Sequence, residues 1–175
     1  MLYGNHDISK KTRNREVLPG LYAQESILLT DRSSGREILL LHGHQGDLLN
    51  DTLVHLAGFL VRFLWRPLEL VGVTDPTSAA RNYKKRKKTE KRLEAFSQAK
   101  KLILIAGHTH RPMFPKPGES YYFNDGSCVH PEGITALELE QGKLTLVKWG
   151  MTVGAGGSLY VSRTPLAGPV SWEHF

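Results

Sequence analysis

The sequence has a single cysteine, Cys128, so no disulfide bond can form within the chain. It also has no long hydrophobic run. Apolar stretches such as 38–41 and 56–61 are far shorter than the roughly 18 residues that a membrane-spanning helix needs. Residues 1–7 carry neither the basic segment nor the apolar segment of a secretory signal peptide. These absences argue against an exported or membrane-spanning protein, and we expect it in the cytoplasm.

The composition is that of a soluble globular protein. Of the 175 residues, 40% are hydrophobic and 23% are charged, which excludes extensive disorder. The length fits one domain, since domains commonly have about 100 to 150 residues, and it is enough to bury a hydrophobic core without disulfides. We therefore predict a single domain over residues 1–175.

The net charge of +6 comes from one segment. Residues 81–101 contain ten Lys or Arg and two Glu, a net charge of +8, and the rest of the chain carries −2. A solvated helix packed by Leu93 and Phe96 accounts for this segment. The alternatives are a surface for an anionic substrate, an acidic lipid membrane or a nucleic acid. Nucleic acid is not expected as the principal partner, because no recognition motif accompanies the charge; peripheral membrane contact stays open.

Hydrophobic patterns predict a mixture of helices and strands. Apolar residues at helical spacing predict helices over 47–66 and 77–99. Short apolar segments bounded by turn residues predict strands at 26–30, 37–41, 101–106, 121–124, 134–140, 143–149 and 159–162. Such a mixture predicts a layered α/β or α+β domain.

Histidine is concentrated in three turns. Five of the eight histidines lie in Gly-Asn-His-Asp at 4–7, His-Gly-His at 42–44 and Gly-His-Thr-His at 107–110. The second and third turns follow predicted strands, where ligands gather in open α/β sheets. Imidazole is the commonest metal ligand and Asn supplies an amide oxygen, so the turns predict a metal site. In an extended turn, His108 and His110 would point the same way.

Neighbouring polar residues have an ordinary alternative role. There are two alternatives for His44, Gln45 and Asp47. They line the predicted metal site, or they shape the turn and cap the following helix. At the end of the predicted strand 121–124, the residue types fit a turn better than a set of ligands. These residues are Asn124, Gly126 and Ser127.

These motifs resemble those of the calcineurin-like metallophosphoesterase superfamily. That family's pattern runs D-x-H, G-D-x-x-D, G-N-H-[DE], a lone histidine usually written H-G-H or H-G-D, and G-H-x-H. This sequence has the last three blocks in order, and Asn-Asp-Gly-Ser at 124–127 also resembles bacterial members. The resemblance implies an α/β fold with a two-sheet β-sandwich flanked by helices, and metal-dependent hydrolysis of a phosphate monoester or diester.

The resemblance also implies a role for each matching residue. Asn5, His42 and His108 match ligands of the second metal ion, and His110 matches a ligand of the first. His6 matches the histidine that faces the phosphate and protonates the leaving oxygen. The implied cofactors are two divalent ions, Mn, Fe or Zn, which clamp a phosphoryl oxygen and activate a bridging water.

Three further residues are candidates for substrate binding. Arg81 and Asn82 lie near the start of the second predicted helix, whose N-terminus favours anions. Arg111 follows the last histidine, where a guanidinium suits bidentate phosphate contacts. The implied substrate is a phosphorylated small molecule or nucleotide. The subfamily that cleaves the pyrophosphate of a lipid A precursor usually has Arg at the position of His6, which argues against that substrate.

Two motifs of the family are missing. Only three residues precede Gly4, and no Asp-x-His occurs in the chain, so the first ion lacks an Asp, a His and the bridging Asp. We expect Met1 to be an internal residue of a longer protein, and this chain alone to have little phosphoesterase activity. The alternatives are a short, inactive homologue that acts as a binding module, and a binder of nucleic acid or anionic surfaces through residues 81–101.

Overall fold

Nine strands, one α-helix and two short 3-10 helices form a mixed α/β architecture in the part of the chain that the computed structural model describes, residues 1–4, 16–32, 34–46 and 83–175. The first four strands are β1 (Glu16–Leu18), β2 (Leu21–Tyr22), β3 (Ser26–Thr30) and β4 (Glu37–Leu41). The helix α1 (Tyr83–Lys100) precedes β5 (Ile103–Ala106), β6 (Tyr122–Asn124), β7 (Ile134–Glu140), β8 (Lys143–Val153) and β9 (Leu159–Ser171). The 3-10 helices are His44–Gly46 and Trp172–His174.

The four-stranded sheet has the order β3-β4-β5-β6. The first two strands form an antiparallel hairpin, and β4, β5 and β6 then run parallel to one another. Leu41 lies opposite Ala106, and Ala106 lies opposite Asn124. The carboxyl ends of three neighbouring strands therefore meet at one edge of the sheet.

Side chains of this sheet alternate between two buried faces, as the strand period of two requires. One face packs against the three-stranded sheet and the C-terminus, in a cluster of Ile38, Ile103, Phe123, Leu144 and Phe175. The other face packs against α1, in a cluster of Leu41, Leu93, Leu104, Ala106 and Tyr122. The sheet is thus a middle layer covered on both sides, which explains the continuous apolar sequence of β5.

The three-stranded sheet is antiparallel, with the order β7-β8-β9. Gln141 and Gly142 join β7 to β8 with φ angles of 49° and 72°, as a two-residue type I′ hairpin turn requires. The edge strand β9 contains Pro165 and Pro169, and an edge position tolerates the missing N–H groups.

Arg36 fastens the C-terminus to the β3–β4 hairpin. Its Nη1 donates to the carbonyl oxygens of Trp172 at 2.6 Å and Phe175 at 2.8 Å, and its Nη2 donates to that of Glu173 at 3.0 Å. A charged donor satisfies the carbonyl groups that the last turn leaves without helical partners.

Most of the predicted elements are confirmed within the described residues. Strands β3, β4 and β7 have the predicted bounds, while β8 and β9 run further than predicted and β1 and β2 were not predicted. The second predicted helix appears as α1, and the helix predicted over 47–66 lies outside the described residues. The α/β class is confirmed. The two-sheet sandwich stays a prediction, since the described residues form sheets of two, four and three strands. In these same residues no helix has the length and apolarity needed to span a membrane.

Candidate functional site

The parallel pairing of β4 and β5 brings two of the histidine turns together. The N–H of Gly107 donates to the carbonyl oxygen of His42 at 3.0 Å, directly beyond the last paired residues of the two strands. A Cβ atom on Gly43 would lie 3.1 Å from the Cβ of His108. The close approach of the two turns therefore depends on glycine at position 43.

Three imidazole rings meet at this edge of the sheet. The ring centroid of His42 lies 5.6 Å from that of His44 and 5.2 Å from that of His108, and His44 and His108 are 6.5 Å apart. His44 is 2% exposed and His108 is 9% exposed. We name these three residues the histidine cluster.

The first motif turn reaches the same place. Tyr3 donates its N–H to the carbonyl oxygen of Gln24 at 3.0 Å, and Gln24 donates to that of Met1 at 2.8 Å. This pairing carries Gly4 onto the ring of His42, where a Cβ atom at position 4 would lie 2.9 Å from Nε2. Only glycine fits there without displacing the ring. Asn5 and His6, which follow, lie outside the described residues.

The last motif turn is not extended, so the expectation that His108 and His110 point the same way is wrong. Their φ angles are 62° and 55°, in the left-handed region that few residues other than glycine adopt. The N–H of Thr109 donates to the carbonyl oxygen of Gly107 at 2.7 Å. The period-two rule applies to extended backbone only. In this tight turn His108 is buried and His110 is exposed.

Asn124 holds this turn in place. Its buried Nδ2 lies within hydrogen-bond distance of the carbonyl oxygen of Gly107 (2.9 Å), the Oγ1 of Thr109 (3.1 Å) and the hydroxyl of Tyr122 (3.0 Å). Its Oδ1 accepts from the N–H of Gly126 at 2.9 Å. The prediction that Asn124 forms a turn is therefore right, because its Oδ1 closes the turn to Gly126. It is also incomplete, because the same side chain fixes the turn of His108.

Asp125 is a residue at this edge that the sequence argument did not assign. Its N–H donates to the carbonyl oxygen of Ala106 at 3.0 Å, and a Cβ atom on Gly107 would lie 3.0 Å from its Oδ1. Burial raises the pKa of Asp125 to about 6, against a smaller opposing contribution from a backbone hydrogen bond. The available signal was its place directly after β6, the strand beside the one that leads to His108.

The 3-10 helix of His44 packs on α1. A Cβ atom on Gly46 would lie 3.0 Å from Cγ2 of Thr89 and 3.1 Å from Cγ of Leu93. Arg92 Nη1 donates to the carbonyl oxygen of Gly46 at 3.1 Å. The buried side of α1 therefore supports the turn that carries two members of the histidine cluster.

The polar residues after His42 contribute to the turn itself. Gln45 accepts from the N–H of Gly43 at 3.1 Å, and its Nε2 donates to the carbonyl oxygen of Glu25 at 3.3 Å. These bonds favour the turn-shaping role for Gln45. Asp47 lies outside the described residues.

The substrate-binding candidates are only in part described. Arg111 is exposed, one residue beyond His110. Arg81 and Asn82 lie outside the described residues, directly before the first residue of α1. Their predicted roles stay predictions.

The donor types at this edge suit a divalent metal ion, because imidazoles and a carboxylate are ligands that Mn, Fe and Zn accept. The arrangement is incomplete. Within residues 1–4, 16–32, 34–46 and 83–175, no three His, Cys, Asp or Glu side chains form a group that could hold a metal ion. Asn5, an expected ligand, is not among these residues. The described part of the chain thus supplies fitting donors without a complete metal site.

Comparisons with known proteins assign no family. No protein-family model matches the chain, and no curated protein matches it either. Among solved structures, it is similar to the crystal structure of Chaetomium thermophilum Vps29, with a TM-score of 0.36 and 13% sequence identity over 82% of this chain. The match spans 60% of that protein's chain. This degree of similarity is too low to support a family or a function.

Proposed function

We propose that this chain supplies the histidine side of a metal-dependent phosphoesterase site. The observation that carries the proposal is the convergence of three separate motif turns, with Gly4 against the ring of His42 and that ring beside His44 and His108. Convergence of segments this distant in the sequence is what a shared ligand demands.

In this proposal His42 and His108, together with Asn5, hold one ion, and His110 contributes to a second. Bound there, two divalent ions would supply an activated water and neutralise charge on the phosphoryl group. Asn124 fixes the turn that carries His108, and Gly4 leaves room for the ring of His42. His6, directly after Asn5, would donate a proton to the leaving oxygen.

A second candidate is a binding module that keeps this arrangement without catalysis. The observation that favours it is the absence of a complete metal-binding group within the described residues. Such a module would use the same edge of the sheet to bind a phosphorylated ligand or a protein, and it would turn over no substrate.

A measurement of metal binding by the 175-residue chain distinguishes a metal site from an ordinary cluster of buried histidines. Isothermal titration calorimetry with Mn²⁺ and Zn²⁺ should detect binding, and His42→Gln and His108→Gln should each weaken it at least about tenfold. The matched control is His130→Gln, since His130 is exposed and lies outside the histidine cluster. Equal affinities for all four proteins would remove the metal site.

Hydrolysis then distinguishes the enzyme from the module. The substrate is bis(p-nitrophenyl) phosphate, and the protein is the chain joined to a segment that carries D-x-H and G-D-x-x-D. Metal-dependent release of nitrophenol that His42→Gln abolishes would support the phosphoesterase. Metal binding with no turnover would favour the binding module.

A further inference from the structure

Four lysines occupy one side of α1. Lys84, Lys87, Lys88 and Lys91 follow the spacing i, i+3, i+4, i+7, which places them on a common helical face, and all four are exposed. The buried residues Thr89, Leu93 and Ser97 lie on the opposite side at about 3.6 residues per turn. We name the four lysines the lysine face.

The lysine face forms an open, shallow surface along α1. Tyr83, Arg92 and Ala95 border the four lysines there. Five of these seven residues are cationic, and none is acidic. A surface of this composition attracts a ligand that carries several negative charges.

No ion pair between described residues neutralises the lysine face. In the described residues, ion pairs join Lys116 to Glu119, Lys148 to Glu132 and Arg163 to Glu138, and none involves the lysine face. Like charges three and four residues apart destabilise a helix. The lysine face therefore has a structural cost that binding of an anion would relieve.

The apolar residues of α1 argue against insertion of this helix into a lipid membrane. Its exposed large hydrophobic side chains are Tyr83 and Phe96, 57% and 44% exposed, and their spacing of thirteen residues places them on different sides of the helix. A helix that binds at a membrane interface inserts a continuous apolar face. The side of α1 that has an apolar residue at its centre, Leu93, is already buried against the sheet.

Tyr83 adds an aromatic ring at the start of the lysine face. Arg86 Cζ lies 5.3 Å and Lys87 Nζ lies 5.8 Å from its centroid. Proteins that bind single strands without sequence preference combine a cationic path for the backbone with aromatic rings on which bases stack. This mode needs no sequence-recognition motif, so the lack of one in the sequence does not count against it.

We propose that the lysine face and Tyr83 bind single-stranded nucleic acid through its phosphate backbone. The surface lies on the side of α1 opposite Thr89 and Leu93, the residues that pack against Gly46. It is therefore a binding surface separate from the proposed metal site, and it does not depend on hydrolysis.

Fluorescence anisotropy with a fluorescein-labelled DNA strand of about 16 nucleotides tests the proposal on the 175-residue chain. Four neutralised phosphates predict a slope of about −3 for log K against log salt. Replacing all four lysines of the lysine face with Gln should weaken binding at least about tenfold and bring the slope close to zero. Tyr83→Ala should weaken binding by about tenfold and leave the slope unchanged, because it removes stacking and no charge.

The control is a second fourfold variant with the same change in net charge, Lys100→Gln, Lys116→Gln, Lys143→Gln and Lys148→Gln, which should bind as the unchanged chain does. Circular dichroism verifies that each variant is folded. Equal loss in both fourfold variants would overturn the proposal in favour of general attraction. No binding at about 50 mM salt would also overturn it. The surface would instead be assigned to membranes if the chain bound phosphatidylglycerol vesicles more tightly than the DNA strand and replacement of the four lysines abolished that binding.

Discussion

At the scale of single residues, the site is shaped by side chains that are not ligand candidates. His108 adopts a positive φ without being glycine, a conformation that costs energy unless neighbours enforce it. Asn124 supplies that enforcement, since its Nδ2 reaches both Gly107 and Thr109 on either side of His108. The position of His108 is thus set by Asn124, a residue of the neighbouring strand β6.

The glycine of the Asn-Asp-Gly-Ser turn should be intolerant of any side chain. Gly126 has a φ of 86°, and a Cβ atom there would overlap Oγ1 of Thr135, which accepts the N–H of Ser127. Gly126→Ala should lower the free energy of unfolding by about 2 kcal/mol or more. Urea denaturation measures this loss. Gly156→Ala is the control, because nothing lies within 4 Å of its Cβ position, and its effect should be below about 0.5 kcal/mol.

Asp125 should make stability depend on pH in an unusual direction. Its pKa is raised from 3.8 to about 6 by burial, so the folded protein holds the proton more tightly than the unfolded chain. The contribution is fully present below about pH 4 and is lost as pH rises to about 6, because the unfolded chain ionises first. The total is on the order of 2 to 3 kcal/mol.

Asp125→Asn removes this titration and keeps the shape of the side chain. The variant should match the parent near pH 4 and be more stable above pH 6, as measured by urea midpoints with EDTA present. Glu119→Gln, at an exposed position, should be no more stable than the parent above pH 6. A variant less stable than the parent at pH 7 would show that the carboxylate is held by favourable contacts.

At the scale of elements, α1 is held by very few buried side chains. Most of its residues are charged, and its buried ones are Thr89, Leu93 and Ser97. Leu93 is 6% exposed and is the helix's contribution to the cluster beneath the sheet. Within the described residues, Leu93 is therefore the one large apolar side chain that this helix buries.

Leu93→Ala should lower the free energy of unfolding by about 3 kcal/mol, as removal of a buried leucine usually does. Phe96→Ala, at a residue that is 44% exposed, should cost less than half as much despite the larger side chain removed. Thermal denaturation of both variants checks the comparison. A larger loss for Phe96→Ala would mean that α1 packs through a different side than the one described.

The elements also show how far the sequence alone reaches. The β3–β4 hairpin and β7 were predicted to the residue, because their apolar segments are bounded by turn residues that leave one local solution. The roles of Asn124 and Asp125 were not predicted, because both depend on the parallel pairing of β5 with β6. No local sequence pattern encodes that pairing. The conformation of His108 was missed because left-handed backbone is the exception for residues other than glycine.

At the scale of the whole molecule, the histidine side of the proposed metal site should not suffice for catalysis. The sequence offers one candidate ligand, His110, for the first ion and no Asp-x-His. With Mn²⁺ present, the chain should hydrolyse bis(p-nitrophenyl) phosphate at least about a hundredfold more slowly than a version joined to the two absent motifs. Comparable rates would show that those motifs are dispensable.

The parallel pairing of β4 and β5 also has a consequence for the order of folding. His42 and His108 belong to segments separated by more than 60 residues, so their contact closes a long loop, whereas the β7–β8 hairpin closes over two residues. Loop closure becomes entropically more costly with length, and long-range pairings form slowly. We therefore expect the antiparallel sheet to form early and the histidine edge to assemble last, so that protection of the Gly107 amide from hydrogen exchange would mark the completion of folding.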